Sequence, residues 1–303
     1  MKVLILGSGG FLGRQVVDYL ATKPHLELFG VSRPVPEAGS VQGALMCDLT
    51  DFQSVNALVG RVQPDVIINL AGTTLGYPRA LYLANVVIPA NVAGAVRSNH
   101  RNCRLIHIGS AAEYGYSEAL LIDEQAECRP VSLYGHSKLA ATTFLMSERA
   151  QHGLDVIVFR LFNVISTVNS PRQVLGAFVE KTLNWRRSRV GQPVRMGPLG
   201  SVRDFLCIQD LCTLIGNVVE GARTDVGILN VCSGEGRVTR DLVMYLANRI
   251  DGLAIVEENF VAPKAADRIV GDPKRFLALA GLERPTPLEY VLDQVWPAAG
   301  VEL

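Results

Sequence analysis

Lys2-Val-Leu-Ile-Leu-Gly7-Ser-Gly-Gly10-Phe-Leu-Gly13 lies at the start of the sequence. The short apolar run predicts a buried parallel strand over Lys2–Leu6, and the residues after the glycines predict a helix over Arg14–Thr22. In this arrangement Gly7 permits a tight turn, Gly10 lets backbone amides approach a pyrophosphate, and Gly13 lets the helix pack close to the sheet. A strand, glycines at this spacing and a helix together indicate a dinucleotide site, in which the helix N-terminus faces the phosphates.

Strand-like and helix-like segments alternate along most of the sequence. Further apolar runs predict strands at Glu27–Val31, Leu45–Leu49, Asp65–Leu70, Arg104–Ile108, within 151–160 and at Gly227–Val231. This alternation predicts an α/β fold with a Rossmann-like doubly wound parallel sheet. We expect an NADP-binding Rossmann domain and a smaller C-terminal substrate-binding lobe, with the substrate in the cleft between them. The domain would comprise residues 1–165 and about 206–231, and the lobe 166–205 and 232–303.

The overall composition excludes several classes of function. Lysine plus arginine and aspartate plus glutamate number 29 each, so the net charge is zero and a nucleic-acid partner is not expected. No uninterrupted apolar run reaches the roughly 20 residues that cross a bilayer, so no membrane partner is expected. The six cysteines are scattered without metal-ligand spacing. This favours reduced, mostly buried thiols in a cytoplasmic protein, and no metal site.

The end of the second strand bears on which nicotinamide cofactor is preferred. A carboxylate at this position usually binds the ribose hydroxyls of NAD. Here the strand runs into Ser32 and Arg33, so no carboxylate repels a 2′-phosphate and a guanidinium can pair with one. We therefore expect NADP(H), with NAD(H) less favoured, and Arg14 could assist from the helix. The alternative is that Arg33 is a solvated loop residue.

Tyr134 and Lys138 form a candidate catalytic pair, because their four-residue spacing puts both side chains on one face of a helix. A nearby ammonium stabilises a phenolate and lowers the pKa of the phenol from its usual value of about 10. We expect the pKa of Tyr134 to be pulled towards neutral, which would make the phenol a general acid and base. Such pairs are common on ordinary helices. The glycine turn and the upstream Ser110 favour the catalytic interpretation.

Other candidate cofactor residues follow the carboxyl ends of the strands, where ligands bind in open α/β sheets. Asp48 is a candidate acceptor for the adenine amino group, or else a simple turn residue at the strand end. Small residues after the fourth strand would let the cofactor lie close, and the next helix carries Asn85. The full set expected to contact the cofactor is Gly7, Gly10, Phe11, Leu12, Gly13, Ser32, Arg33, Asp48, Leu49, Leu70, Ala71, Gly72, Asn85, Tyr134, Lys138 and Leu161.

Seven motifs, in this order, resemble those of the extended short-chain dehydrogenase/reductases that act on nucleotide sugars. They are the glycine turn, Asn69-Leu-Ala-Gly72, Ser110 ahead of Tyr114-Gly115, Tyr134-x-x-x-Lys138, Arg160-Leu-Phe-Asn163, Val202-Arg-Asp-Phe205 and Leu229-Asn-Val-Cys-Ser-Gly-Glu-Gly236. The segments around Ser110 and Leu229 look most like those of GDP-4-keto-6-deoxy-mannose reductases. The resemblance covers the whole chain and implies a homodimer, for which the helices around 81–98 and 136–150 would be suited.

The resemblance also implies roles for individual residues. Tyr134 would exchange a proton with a sugar oxygen, Lys138 would hold the nicotinamide ribose, and Ser110 would hydrogen-bond the same sugar oxygen. Hydride would pass between nicotinamide C4 and sugar C4. Arg203 matches the family's phosphate-contacting arginine. Substrate contacts are expected from Thr74, Ser110, Ala111, Asn163, Lys181 and Arg203.

The positions after Ser110 narrow the reaction that the resemblance implies. Sugar 4,6-dehydratases of this family carry Asp-Glu there, whereas this chain has Ala111 and Ala112, and Glu113 comes one place too late. Neither alanine can move a proton, so dehydration is not expected. We expect an NADP(H)-dependent reductase of a nucleotide-linked 4-keto-6-deoxy sugar. The alternatives are a nucleotide-sugar 4-epimerase with tightly bound NAD and a non-catalytic dinucleotide sensor.

The substrate lobe departs from the family pattern in two places. Ser170-Pro-Arg-Gln173 replaces Gly-Pro-Gly/Asn-Gln, which predicts a differently shaped substrate loop. Near the C-terminus the family's arginine is missing, and Lys264 or Arg268 could substitute only if the loop is displaced. The helix predicted over 174–189 has a basic end, which is either a solvated face or a site for the substrate diphosphate. That basic end comprises Lys181, Arg186, Arg187 and Arg189.

Overall fold

A computed structural model describes residues 1–32, 43–99, 102–115, 117, 119–171, 173–188, 192–221, 226–258 and 268–301. The strands are β1 (Lys2–Leu6), β2 (Glu27–Val31), β3 (Gly43–Leu45), β4 (Val66–Asn69), β5 (Arg104–Ile108), β6 (Val156–Leu161), β7 (Asn163–Ile165), β8 (Val194–Met196), β9 (Val202–Cys207), β10 (Ile228–Val231), β11 (Gly236–Val238), β12 (Ile255–Glu257) and β13 (Arg268–Ile269). The helices are α1 (Phe11–Ala21), α2 (Phe52–Val62), α3 (Pro78–Tyr82), α4 (Ile88–Asn99), α5 (Leu133–His152), α6 (Val174–Ser188), α7 (Ile208–Val219), α8 (Thr239–Ala247), α9 (Lys274–Ala280), α10 (Leu288–Leu292) and α11 (Val295–Ala298). Two short helical turns are a π-helical turn at Leu83–Val87 and a 3-10 turn at Ala111–Glu113.

A seven-stranded parallel sheet forms the larger part of the molecule. Its strand order is β3-β2-β1-β4-β5-β6-β10, with β1 at the point where the order reverses. The strands are apolar along their length because helices cover both faces. On one face α1, α7 and α9 enclose a core with Ile5 and Phe159, and on the other α2, α4 and α5 enclose a core with Leu4 and Leu105. The predicted Rossmann-like doubly wound fold is confirmed.

The smaller part of the molecule is built around β9. The start of this strand pairs antiparallel with β11 and parallel with β13, while its end pairs with β7. A separate two-stranded sheet joins β8 and β12. A third core lies between these strands and α6, α8, α10 and α11, with Phe178 and Trp296 in edge contact at 6.0 Å. Trp296 is fully buried, and its indole N–H donates to the carbonyl of Leu246 at 2.9 Å.

The third strand and α9 differ from the sequence-based expectation. The strand predicted over Leu45–Leu49 is wrong, since β3 ends at Leu45. Asp48 instead forms a turn, because its carboxylate accepts hydrogen bonds from both the amide and the hydroxyl of Thr50.

The helix α9 lies in the segment assigned to the substrate lobe, yet it packs on α7, and its Phe276 belongs to the core of the parallel sheet.

Residues Pro78–Asn99 form a helical run of 22 residues that is long and apolar enough to cross a membrane by length and composition alone. In the fold this run packs against α2 and α5, with 44% of its apolar window buried. Helices in the core of a globular domain pass the same test of length and composition. The run therefore carries no argument for a membrane.

All six cysteines are free thiols, and four of them are buried. Burial raises the pKa of Cys103, Cys207 and Cys212 to about 12, because a thiolate loses its hydration in an apolar core. These thiols are therefore protonated and unreactive at neutral pH.

Candidate active site

A cleft of about 750 Å³ lies at the carboxyl ends of β1, β4, β5 and β6, between the parallel sheet and the smaller lobe. This is the place where open parallel sheets bind ligands. Most of the residues predicted from sequence to form a site line it together. They are Gly7, Gly10, Phe11, Leu12, Gly13, Leu70, Gly72, Thr74, Ser110, Ala111, Tyr134, Lys138, Leu161, Asn163 and Arg203. The cleft therefore joins the expected cofactor, catalytic and substrate residues in one space.

The glycine turn at the end of β1 has the geometry of a phosphate cradle. Gly7 has φ +81°, and a Cβ there would lie 2.8 Å from the amide nitrogen of Ala71. A Cβ on Gly13 would lie 2.1 Å from the carbonyl oxygen of Gly7, so α1 can approach the turn only with glycine at this position. The N-cap residue Gly10 supplies no side chain to the first N–H groups of α1, and the first turn has no acidic residue. Those N–H groups fit a bound pyrophosphate.

The helix α5 carries Tyr134 and Lys138 to the cleft. Its N-cap Ser132 accepts a hydrogen bond from the amide of Gly135 at 3.0 Å, which starts the helix just ahead of the pair. Lys138 is buried, and its ammonium donates to the carbonyl of Ile108 at the end of β5 at 2.8 Å. Tyr134 and Ser110 line the same cleft, and Ser110 acts on the phenol in the direction that lowers its pKa. The three predicted catalytic groups therefore meet at the end of β5.

The pKa values at this site differ from the sequence-based expectation. Burial raises the pKa of Tyr134 above 10; the hydrogen bond with Ser110 acts against this shift and the charge of Glu113 adds to it. The prediction that Lys138 lowers this pKa is therefore not borne out, because the loss of hydration outweighs favourable contacts. Burial lowers the pKa of Lys138 to about 8, although the charge of Glu113 opposes the change. At neutral pH the phenol is protonated and fit to donate a proton.

Ser110 begins the 3-10 turn that follows β5. Its hydroxyl accepts a hydrogen bond from the amide of Ala112 at 3.1 Å, and its own amide donates to Glu113 at 2.8 Å. Glu113 is fully buried and also pairs with Arg160 at 2.9 Å, so its carboxylate is held away from the cleft lining. Ala111 and Ala112 do line the cleft. The turn therefore presents a serine hydroxyl to the cleft, without the acid and base that dehydration needs.

Asn85 lies in the π-helical turn between α3 and α4, beside the cleft, and its side chain joins two segments of the chain. Its amide oxygen accepts from the amide of Thr73 at 3.0 Å, and its amide nitrogen donates to the carbonyl of Thr73 at 2.8 Å and to Ser137 at 2.9 Å. Asn85 is fully buried and is absent from the residues that line the cleft in the described chain. It joins the loop after β4 to α5, and so fixes two walls of the cleft. A π turn often marks a functional site.

Arg203 and Asn163 stand where the cleft meets a second cavity of about 320 Å³. Asp204, next to Arg203, is fully buried, and its carboxylate accepts hydrogen bonds from the amides of Ser233 and Gly234 at 2.7 and 2.9 Å. These bonds hold the loop after β10 against β9. Ser170 and Gln173, from the predicted substrate loop, and Thr73, beside the predicted Thr74, also line the cleft. Sequence reasoning assigned no site role to the other lining residues, because no local pattern distinguishes them: Ile108, Gly109, Ala112, Phe162, Val164 and Ile269.

The model of the NAD dependent epimerase/dehydratase family matches residues 3–232, which include the glycine turn, Ser110, Tyr134 and Lys138. This chain belongs to that family. It is an NAD(P)-dependent oxidoreductase of the extended short-chain dehydrogenase/reductase type, as the sequence motifs predicted.

The relatives of this chain include enzymes named for reactions on nucleotide sugars. The chain is 27% identical to a GDP-6-deoxy-D-talose 4-dehydrogenase of Aggregatibacter actinomycetemcomitans, over 100% of this chain and 99% of that one. It is 26% identical to a GDP-6-deoxy-D-mannose reductase of Pseudomonas aeruginosa, over 82% of this chain and 79% of that one. A solved structure of RMD from Pseudomonas aeruginosa complexed with NADPH is 24% identical, with a TM-score of 0.82 over 98% of both chains. That likeness shows the shared fold.

The remaining predicted site residues of this epimerase/dehydratase-family enzyme are absent from the cleft lining in the described chain. Lys181 on α6 donates to the carbonyl of Arg195 at 2.7 Å, away from Arg203. Asp48 is the turn residue described above, so of its two interpretations the structure favours the turn. Leu49 and Ala71 pack against the core of the sheet, and Ser32 is buried at the end of β2. The predictions for Arg33, Arg189 and Lys264 lie outside the described residues.

Proposed function

We propose that the protein is an NADP(H)-dependent reductase of a nucleotide-linked 4-keto-6-deoxy sugar, acting at sugar C4. One observation carries the proposal: Tyr134, Ser110 and Lys138 line the same cleft as the glycine turn of β1. A nucleotide sugar is large, and the cleft and the second cavity beside Arg203 together offer room for it. The names of the two relatives also support chemistry on 6-deoxy sugars.

The residues of the chain account for the proton side of this reduction. A bound nicotinamide would supply hydride to sugar C4. Tyr134 would give its phenolic proton to the C4 oxygen as the carbonyl π bond breaks, which leaves a sugar hydroxyl and a tyrosinate. Ser110 would hydrogen-bond the same oxygen and hold it against the phenol. The ammonium of Lys138 would stabilise the tyrosinate until it regains a proton from solvent.

Two positions argue against dehydration as the reaction. Elimination of water from the sugar needs an acid and a base next to the catalytic serine, where this chain places Ala111 and Ala112. Glu113 follows them, but its two oxygens are bonded to Ser110 and Arg160 in the protein interior. Simple oxidation and reduction at C4 needs neither group.

The preference for NADP(H) rests on the sequence at the end of β2. Ser32 and Arg33 stand where NAD-specific sites carry a carboxylate. Initial rates with NADPH and NADH at equal concentration test this preference. A higher kcat/KM with NADH would contradict it.

A nucleotide-sugar 4-epimerase with tightly held NAD would use the same three catalytic residues, so this second candidate needs its own test. An epimerase recycles its cofactor, whereas a reductase exchanges it at each turnover. The absorbance spectrum of the purified protein distinguishes them, because nicotinamide that copurifies in stoichiometric amount favours the epimerase.

We further propose a cytoplasmic homodimer. The exposed side chains of α5 between Leu133 and Ser147 include no lysine, arginine, aspartate or glutamate, and Phe144 is 38% exposed among them. Tyr82, at the end of α3, adds an exposed aromatic ring on the neighbouring element. Helix faces of this composition suit burial against a second copy of the chain. Six free thiols suit a reducing compartment.

The proposed activity is tested by following NADPH oxidation with GDP-4-keto-6-deoxy-mannose as substrate. In the variant Tyr134→Phe we expect kcat to fall by roughly 10²–10³-fold, because the proton donor is removed while the shape of the ring is kept. Tyr290→Phe is the matched control, since Tyr290 is 60% exposed on α10, outside the cleft lining. Full turnover in Tyr134→Phe would contradict the assignment.

A further inference from the structure

A buried ion pair lies directly behind Ser110. Glu113 is fully buried, and Arg160 is 4% exposed. One carboxylate oxygen of Glu113 accepts the amide of Ser110 at 2.8 Å, and the other accepts Nε of Arg160 at 2.9 Å. A buried carboxylate with a separate donor on each oxygen is fixed in position.

The arginine of this pair is itself held from behind. Its guanidinium lies over the ring of Tyr114, 4.6 Å from the ring centre. The hydroxyl of Tyr114 donates to Asn230 at 2.6 Å, and Asn230 donates to the carbonyl of Ile122 at 2.8 Å. This chain of buried contacts runs from β6 and β10 to the serine turn. The carboxylate of Glu113 therefore cannot turn away from Ser110 without breaking several buried hydrogen bonds.

Several titratable groups around Glu113 are neutral. Burial raises the pKa of Tyr114 and of Cys128 and lowers that of His107, so all three are neutral at pH 7. The charged groups near this cluster in the described residues include Arg160, Lys138, Glu127 beside Cys128 and Glu124, which accepts the amide of Asn230. The charge of Glu113 acts in the same direction on both catalytic groups, since it raises the pKa of Tyr134 and of Lys138.

We propose that Glu113 is a positioning residue for proton transfer, which fixes the Ser110 turn and places a buried negative charge behind the catalytic groups. This inference rests on the proposed role of Tyr134 as proton donor. It does not depend on which sugar is reduced. Arg160 holds the carboxylate in place through the ion pair.

Two variants separate the effect of the Glu113 charge from the effect of the hydrogen bonds that its carboxylate accepts. Glu113→Gln keeps the shape and removes the charge, but its single acceptor oxygen can serve only one of the two donors, Ser110 or Arg160. The double variant Glu113→Gln with Arg160→Met removes the charge together with the second donor, so the remaining oxygen can still accept the amide of Ser110. We expect the single variant to lower the unfolding temperature, and the double variant to recover most of that loss.

The decisive readout is the titration of Tyr134, followed by NMR in protein labelled with ¹³C at the tyrosine ring carbon that bears the hydroxyl. The Tyr134 signal is assigned by its loss in Tyr134→Phe. We expect its titration midpoint to move to lower pH in Glu113→Gln, with a smaller shift in the double variant, which also loses the positive charge of Arg160, and we expect kcat at alkaline pH in Glu113→Gln to fall roughly tenfold against the parent. Glu220→Gln, which removes a surface partner of Lys23, is the control and should leave the midpoint unchanged.

An unchanged Tyr134 midpoint in folded Glu113→Gln would overturn the inference, because that variant removes the carboxylate and keeps Arg160. Because the titration needs no substrate, its result does not depend on whether the proposed function is correct. A protein that reduces no 4-keto sugar yet shows the shifted midpoint would contradict the proposed function and support the role of Glu113 in retaining the proton.

Discussion

At the scale of single residues, burial is the strongest influence on the chemistry of the cleft. The phenol of Tyr134 keeps its proton and the ammonium of Lys138 binds its proton less tightly than usual, both because each is withdrawn from water. A protonated phenol suits the reducing direction, in which the sugar oxygen needs a proton. As Lys138 loses its proton above a pH of about 8, the tyrosinate loses its stabilising neighbour, and we expect reduction to slow there.

The burial of Lys138 also predicts a pH dependence of stability. Its pKa is about 8 in the folded protein against 10.5 as the ordinary value, so between these values the unfolded chain binds more protons. The buried charge of Lys138 therefore lowers the free energy of unfolding by its full amount below pH 8. This destabilisation decreases as the pH rises from 8 to 10.5. In Lys138→Met this penalty is absent at every pH. We expect the advantage of the variant over the parent to shrink by about 3 kcal/mol across that window.

Urea unfolding of both proteins at several pH values between 7 and about 10.5 measures this difference. Lys274→Met is the control, because the side chain of Lys274 is 85% exposed and its charge carries no burial penalty. A difference between Lys138→Met and the parent that stays constant with pH would contradict the account of the buried ammonium.

Two basic residues predicted to contact substrate are expected to behave differently. Arg203 lines both the cleft and the second cavity, whereas Lys181 bonds to the carbonyl of Arg195 and lines neither. Arg203→Ala should raise KM for the nucleotide sugar far more than it lowers kcat, because the lost contact stabilises the bound substrate and the transition state equally. Lys181→Ala should leave both constants close to those of the parent. Steady-state kinetics with varied substrate would contradict this if Lys181→Ala raised KM as much as Arg203→Ala.

At the scale of secondary-structure elements, local patterns predicted most of the parallel sheet. The bounds of β1, β2 and β5 agree with the predicted strands. Each strand is a short, mostly apolar run that is bounded at its ends by a turn or a charged residue. The helix that carries Tyr134 and Lys138 was also predicted, from the spacing of the two residues. These features depend on neighbours in sequence.

Other features depend on contacts between distant residues and could not be predicted. The early end of β3 follows from the turn that Asp48 makes with Thr50, which the apolar pattern does not show. Glu113 and Arg160 are 47 positions apart, and nothing local marks them as partners. The raised pKa of Tyr134 depends on burial, which a four-residue spacing does not report.

The π-helical turn at Leu83–Val87 is an element with a testable role. Asn85→Ala removes a buried hydrogen bond to Ser137 and two partly buried ones to Thr73, and we expect a loss of about 2 kcal/mol in the free energy of unfolding. KM for the cofactor should also rise, because Thr73 lines the cleft. Asn91→Ala is the matched control, since Asn91 makes a single bond to the carbonyl of Leu49. Equal losses and equal cofactor KM in the two variants would contradict the role of the π turn.

At the scale of the whole molecule, the outer face of α5, which lacks lysine, arginine, aspartate and glutamate between Leu133 and Ser147, predicts association of two copies. Phe144→Glu places a carboxylate in the proposed interface, and we expect it to convert a dimer into a monomer in size-exclusion chromatography with light scattering. Met244→Glu on α8 is the control, because Met244 is 39% exposed, close to the 38% of Phe144, and lies in the smaller lobe. A parent protein that is monomeric, or a dimer that Phe144→Glu leaves intact, would contradict this interface.

The central claim is that the cleft joins a nicotinamide to a sugar carbonyl whose oxygen takes its proton from Tyr134. The most direct measurement uses NADPH deuterated at nicotinamide C4, together with GDP-4-keto-6-deoxy-mannose, and locates the label in the product by NMR. We predict deuterium on sugar C4 and one NADPH oxidised for each sugar reduced. Recovery of the ketone without label, or an epimerised sugar with no net oxidation of cofactor, would contradict the claim.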